Sequence, residues 1–273
     1  MDLSKLPRLI VITGKGGVGK TSVALALTKF LKEQYKGTEK SVCYNSFDQL
    51  TNNNLCEELD LPYFEMSPAE SAQAYIGKKL GSKTIASWVL KTPFFKSLFN
   101  MIPGLGMVIL MGHIIEKLEK DPNLTIVLDS PSSGHALTMF ESSHNFKEMF
   151  GTGLIVEDIN RMHRFLYEKK LLKTYIVCLP TLMAAQEGIE LKESFKKLEI
   201  NQVELLLNDL LHLAPEINNK EESLPNFLKV KVNLEKEVEE EFKDHFQSQL
   251  PHFSVNSEVE MIKQLSHRME VLC

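Results

Sequence analysis

Gly14-Lys15-Gly16-Gly17-Val18-Gly19-Lys20-Thr21 follows the apolar run Leu9-Ile10-Val11-Ile12 and precedes a helical-looking stretch, Ser22 to Lys32. Strand, glycine loop and helix in that order make a phosphate-binding loop, because a helix N-terminus offers unpaired N–H groups and a partial positive charge to an anion. Gly14, Gly16, Gly17 and Gly19 let the backbone curl and put no Cβ between the amides and the phosphate oxygens. Lys20 is expected to reach the β- and γ-phosphates, and the Thr21 hydroxyl to ligate Mg²⁺. Val18 and Ser22 complete the set expected against the nucleotide.

The rest of the chain suits a single α/β domain over residues 1–273, with 43% apolar residues available for its core. Acidic residues outnumber basic ones, 36 to 31, and no basic tract stands out, so nucleic acid is not an expected partner. Cys43, Cys56, Cys178 and Cys273 form no Cys-x-x-Cys pair, which reads as free thiols of a reducing compartment. The apolar run ahead of the glycine loop is too short for a signal peptide, and a cytoplasmic protein is expected. A long apolar stretch from Phe94 to Ile115 is interrupted by Pro103-Gly104 and diluted by Lys96, Asn100 and His113. It predicts a helical region and no integral membrane segment.

Strands are expected at 8–13, 41–44, 124–129, 174–179, 202–207 and 251–255. Helices are expected between them, including Ser67 to Gly77, Thr84 to Leu90, Leu182 to Leu198, Leu234 to Phe246 and Val259 to Val271. This alternation predicts a doubly wound, mostly parallel sheet with an inserted helical subdomain over about 60–120 and 138–172. Asp129 ends the strand Leu124-Thr125-Ile126-Val127-Leu128, where a phosphate-loop enzyme keeps its Mg²⁺-binding carboxylate.

Lys15, at the second position of the loop, gives the deviant Walker A or signature-lysine form. With it the chain resembles the arsenical-pump (ArsA) and tail-anchored-protein targeting ATPases, P-loop relatives of the MinD, ParA and nitrogenase iron proteins. Asp129-Ser130-Pro131-Ser132-Ser133-Gly134-His135-Ala136-Leu137 matches that family's second switch, and Pro103-Gly104 matches a turn ahead of it. The resemblance implies an ATP- and Mg²⁺-using dimer, a homodimer or a heterodimer with a related ATPase. In such a dimer Lys15 reaches across to the partner's phosphates, Gly134 senses the γ-phosphate, and the helical subdomain holds a protein client. Glu187 falls at the family's helical Glu, while Thr181 replaces a nucleotide-facing acid. Asn208, at the end of a strand, matches the residue that pairs with adenine; on spacing alone it reads equally as a turn residue.

The first switch departs from the pattern. Asn45 stands where the family has the Asp that orients or deprotonates the attacking water, and Asp48 where it has His. An amide can position water but cannot take its proton. Asp48 could supply the missing carboxylate, or serve as a helix N-cap or a solvated loop acid. Two readings follow: an ATPase that couples nucleotide state to partner binding, and a hydrolysis-deficient, ATP-dependent module forming one half of a heterodimer. A ParA- or MinD-like positioning protein fits the acidic balance less well. No vicinal thiols suggest an arsenite site.

Overall fold

The computed structural model describes residues 6–93, 97, 104–131, 134, 136–142, 154–167, 171–217 and 223–273. Its strands are β1 (Leu9–Gly14), β2 (Ser41–Asn45), β3 (Leu124–Asp129), β4 (Leu172–Cys178), β5 (Val203–Leu210) and β6 (Phe246–Pro251). They form one sheet in the order β2-β3-β1-β4-β5-β6, and every pairing is parallel. β1 is central and buried along its whole length, Leu9 and Val11 facing one core and Ile10 and Ile12 the other. A parallel strand covered on both sides reads as an unbroken apolar run for this reason.

The helices are α1 (Lys20–Gln34), α2 (Asn53–Glu58), α3 (Pro68–Leu80), α4 (Lys83–Lys91), α5 (Leu105–Lys120), α6 (Leu154–Tyr167), α7 (Leu182–Lys197), α8 (Asn226–Glu241) and α9 (Glu258–Ser266). On one face of the sheet α1 buries Val23, Leu27 and Leu31 beside Ile262 and Leu265 of α9. On the other, α5 contributes Ile114 and Leu118, α6 contributes Ile159 and Met162, and α7 contributes Phe195. The result is a three-layer α/β sandwich, the doubly wound fold expected from the alternation of strands and helices.

Within the region expected to be a helical subdomain, α5 lies directly on the sheet and shares its core with Leu9 and Val11. α3 stacks on α5 through a Ser71–His113 hydrogen bond of 3.0 Å and a Lys78–Glu116 ion pair of 3.1 Å. Ser67 and Ser82 cap α3 and α4, each accepting a backbone N–H three residues on. Met111 is core and Met107 packs against it. The expected helical residues 94–96, 98–103 and 143–150, the break at Gly151-Thr152-Gly153, the turn at Pro103 and the motif residues Ser132, Ser133 and His135 lie outside the described residues. No helix among the described residues is long and apolar enough to cross a membrane.

The C-terminal third differs from expectation in four places, one being α9, which ends at Ser266 and not at Val271, with a short 3-10 helix over Met269–Leu272 after it. β6 ends at Pro251 instead of starting there; it is an edge strand in which buried Ser248 and Leu250 alternate with exposed Gln247 and Gln249, so its apolar signal is weak. α8 begins eight residues earlier than expected, right after Pro225, and exposes Phe227, Val230 and Leu234. Asn208 lies inside β5, which continues to Leu210, and does not end it.

Candidate functional site

All the residues singled out above on strand ends and on the glycine loop gather at the C-terminal edge of the sheet, where open α/β folds bind ligands. β1 delivers the loop at its centre, flanked by Asp129 at the end of β3 and by Val177 and Cys178 at the end of β4. α1 starts from Gly19 with no side-chain cap and no acidic residue in its first turn. Its orphan N–H groups and positive dipole end therefore meet no protein carboxylate in that turn.

Lys20 Nζ donates to the carbonyl of Lys15 at 3.0 Å, folding back over the loop. Burial lowers the pKa of Lys20, and nearby Asp129 acts against that shift. Thr21 Oγ1 donates to Asp129 Oδ2 at 2.7 Å, and the Tyr44 hydroxyl donates to the same oxygen at 3.0 Å. Asp129 Oδ1 is buried and has no hydrogen-bond partner among the described residues. Burial pushes the Asp129 carboxyl above its usual range, against the opposing pull of Thr21, Tyr44 and Lys20. Among the described residues no group of three or more His, Cys, Asp or Glu could hold a metal ion. One carboxylate with a spare oxygen beside a threonine hydroxyl instead suits Mg²⁺, which keeps most of its waters and takes substrate phosphate as ligand. Tyr44 went unnoticed in the sequence, where it is one more aromatic in an apolar strand.

Lys15 forms an ion pair with Glu187 of α7, both side chains partly exposed. The pair lies on a cleft of about 300 Å³ that Gly14, Gly134 and Cys178 also line. Asn45 is fully buried, and both ends of its amide are engaged. Nδ2 donates to the Phe64 carbonyl at 2.7 Å, and Oδ1 accepts from the Phe47 N–H at 3.0 Å. Phe47 follows with φ +57°, a costly conformation for a bulky residue, and its ring is buried. Asp48 comes next, exposed to solvent.

On the other side of the loop, Asn208 Nδ2 donates to the Val18 carbonyl at 2.9 Å. Gly19 sits against it: with φ +91°, a Cβ there would lie 2.5 Å from Asn208 Nδ2. Gly17, Gly19, Ser22, Asn208, Asp209 and His252 line a cleft of about 420 Å³ beside the loop. Sequence reasoning missed Asp209 and His252, since only the pairing of β5 with β6 brings them together.

Compared with known proteins, residues 7–153 match the profile of the anion-transporting ATPases, a span from before β1 to just short of α6 and just over half of the chain. No curated protein matches the chain.

Proposed function

The chain belongs to the anion-transporting ATPase family, ATP-hydrolysing proteins of the ArsA and tail-anchor-targeting type, and from that premise we propose that its nucleotide state governs how two subunits and a client are held. The observation that carries this reading is the convergence of Lys20, Thr21 and Asp129 on an uncapped helix N-terminus. The loop amides from Gly14 to Ser22 grip the phosphates, and Lys20 exchanges the Lys15 carbonyl for phosphate oxygen. Thr21 and Asp129 would hold Mg²⁺, whose charge offsets that of the phosphates when it is bound. Gly134 is the backbone contact that distinguishes ATP from ADP, and the cleft beside Asn208 receives the base.

Lys15 is the charge offered to the partner's phosphates, and its pairing with Glu187 keeps it folded back until a second subunit arrives. The subunits pair as a homodimer or with a related ATPase. The client surface lies on α3 and α4, which expose the apolar side chains of Leu80, Ile85 and Trp88, the last 71% exposed. Cys43, Cys56, Cys178 and Cys273 are all free thiols, two of them buried, which fits a reducing, cytoplasmic setting.

A second reading is favoured by Asn45, whose amide is spent on Phe64 and Phe47. With no carboxylate at that point and exposed Asp48 as the acid on the same loop, hydrolysis is slow, and the protein acts chiefly as an ATP-dependent binding module. Sedimentation with ADP, ATP and a non-hydrolysable analogue, paired with single-turnover hydrolysis, tests both readings. ATP-dependent dimerisation with measurable turnover supports the first, and dimerisation without turnover supports the second. A monomer in all nucleotide states, both alone and mixed with a related ATPase, contradicts both. Asn45→Asp should raise the single-turnover rate if that position faces the water, and an unchanged rate removes Asn45 and its replacement from that role.

A further inference from the structure

The cleft beside the phosphate loop carries an acid–imidazole pair for which the phosphate chemistry has no use. His252 Nδ1 lies 2.7 Å from Asp209 Oδ1. Asp209 adopts φ +70°, and the His252 backbone N–H is bound to the Leu210 carbonyl at 2.9 Å. Two strand ends are thus locked together so that both residues line the cleft next to Gly17, Gly19 and Asn208.

We propose that Asp209 and His252 read the substituent at position 6 of the purine and reserve the cleft for a 6-amino base. This rests on the reading above that the cleft takes the base. A carboxylate oxygen only accepts, so Nδ1 of His252 carries the proton that joins the two. In the neutral ring Nε2 is then a bare acceptor, and its tautomer is fixed by the partner of the other nitrogen. The Asn208 amide is oriented by its own bond to the Val18 carbonyl, which leaves Oδ1 as a second acceptor. A 6-amino group supplies N–H donors to these acceptors. A 6-oxo group sets lone pair against lone pair and leaves the acceptors unpaired, a cost that binding sites use to discriminate. His252 and Asp209 are therefore specificity residues and take no part in phosphoryl transfer.

The test is calorimetric titration of the full chain at pH 8 with Mg-ATP and with Mg-ITP, whose base carries oxygen at position 6. The parent should bind ATP at least about tenfold more tightly than ITP. Asp209→Asn suits the positive φ and can turn its amide N–H toward Nδ1, admitting the tautomer that donates from Nε2. It should bring the ratio down to about threefold or less, weakening ATP while strengthening ITP. His252→Phe should lower the ratio by weakening ATP alone. A purely structural role would weaken both nucleotides together and keep the ratio, and that result in both variants overturns the proposal, as does a parent ratio near one. A parent that binds neither nucleotide instead overturns the nucleotide-site reading beneath it.

Discussion

Replacing Gly19 by alanine probes the joint between the phosphate loop and β5. Its φ of +91° costs an L-residue about 1–2 kcal/mol. The new Cβ would lie 2.5 Å from Asn208 Nδ2, far inside contact distance, so the Asn208 side chain must move and lose its 2.9 Å bond to the Val18 carbonyl. That hydrogen bond contributes about 1 kcal/mol. The stiffer unfolded chain of an alanine variant returns about 0.5 kcal/mol, leaving a net loss of about 2 kcal/mol. For a domain of this size such a loss lowers the melting temperature by about 4–8 °C. Gly16→Ala is the matched control, since its Cβ meets nothing within 4 Å and its φ is not positive. Thermal melts followed by circular dichroism without nucleotide should separate the two, with Gly16→Ala within about 2 °C of the parent. A Gly19→Ala protein that melts with the parent, or a Gly16→Ala protein that falls as far, would refute the reasoning.

Asp129→Asn should raise the nucleotide-free melting temperature at pH 7 while abolishing the magnesium dependence of ATP binding. The folded carboxyl titrates above its unfolded value, so its stability contribution is complete below the unfolded pKa and lost as pH rises through the folded one. The advantage of the variant should accordingly shrink toward pH 3, and melts that show no gain at neutral pH would count against an energetically costly buried charge. Glu235→Ala should cost roughly 3 kcal/mol, lowering the melt by about 6–12 °C. Its buried carboxylate accepts the N–H groups of Leu211 at 2.8 Å and His212 at 3.1 Å, just past the end of β5; a chemical denaturation midpoint equal to the parent's contradicts this. Tyr44→Phe removes one donor from Asp129 and should weaken Mg-ATP binding several-fold, about 1 kcal/mol, without altering affinity for magnesium-free ATP.

The phosphate loop, β1 and β3 were legible because local chemistry alone specifies them: glycines before a helix, and apolar runs buried on both faces. Asp129 was legible because an acid ending such a run has few structural uses. Asn45 could be aligned but not interpreted, since its engagement with Phe64 depends on a segment returning beside β2. β6 escaped because an edge strand with a buried serine lacks an apolar rhythm. Asp209 and His252 stand 43 residues apart, and nothing local in either announces the other.

Calorimetry of the full chain with Mg-ATP, set beside Lys20→Ala, tests the central claim most directly. The parent should give magnesium-dependent binding heat that falls away in the variant. Equal heats in the two proteins, or none in the parent, would contradict it.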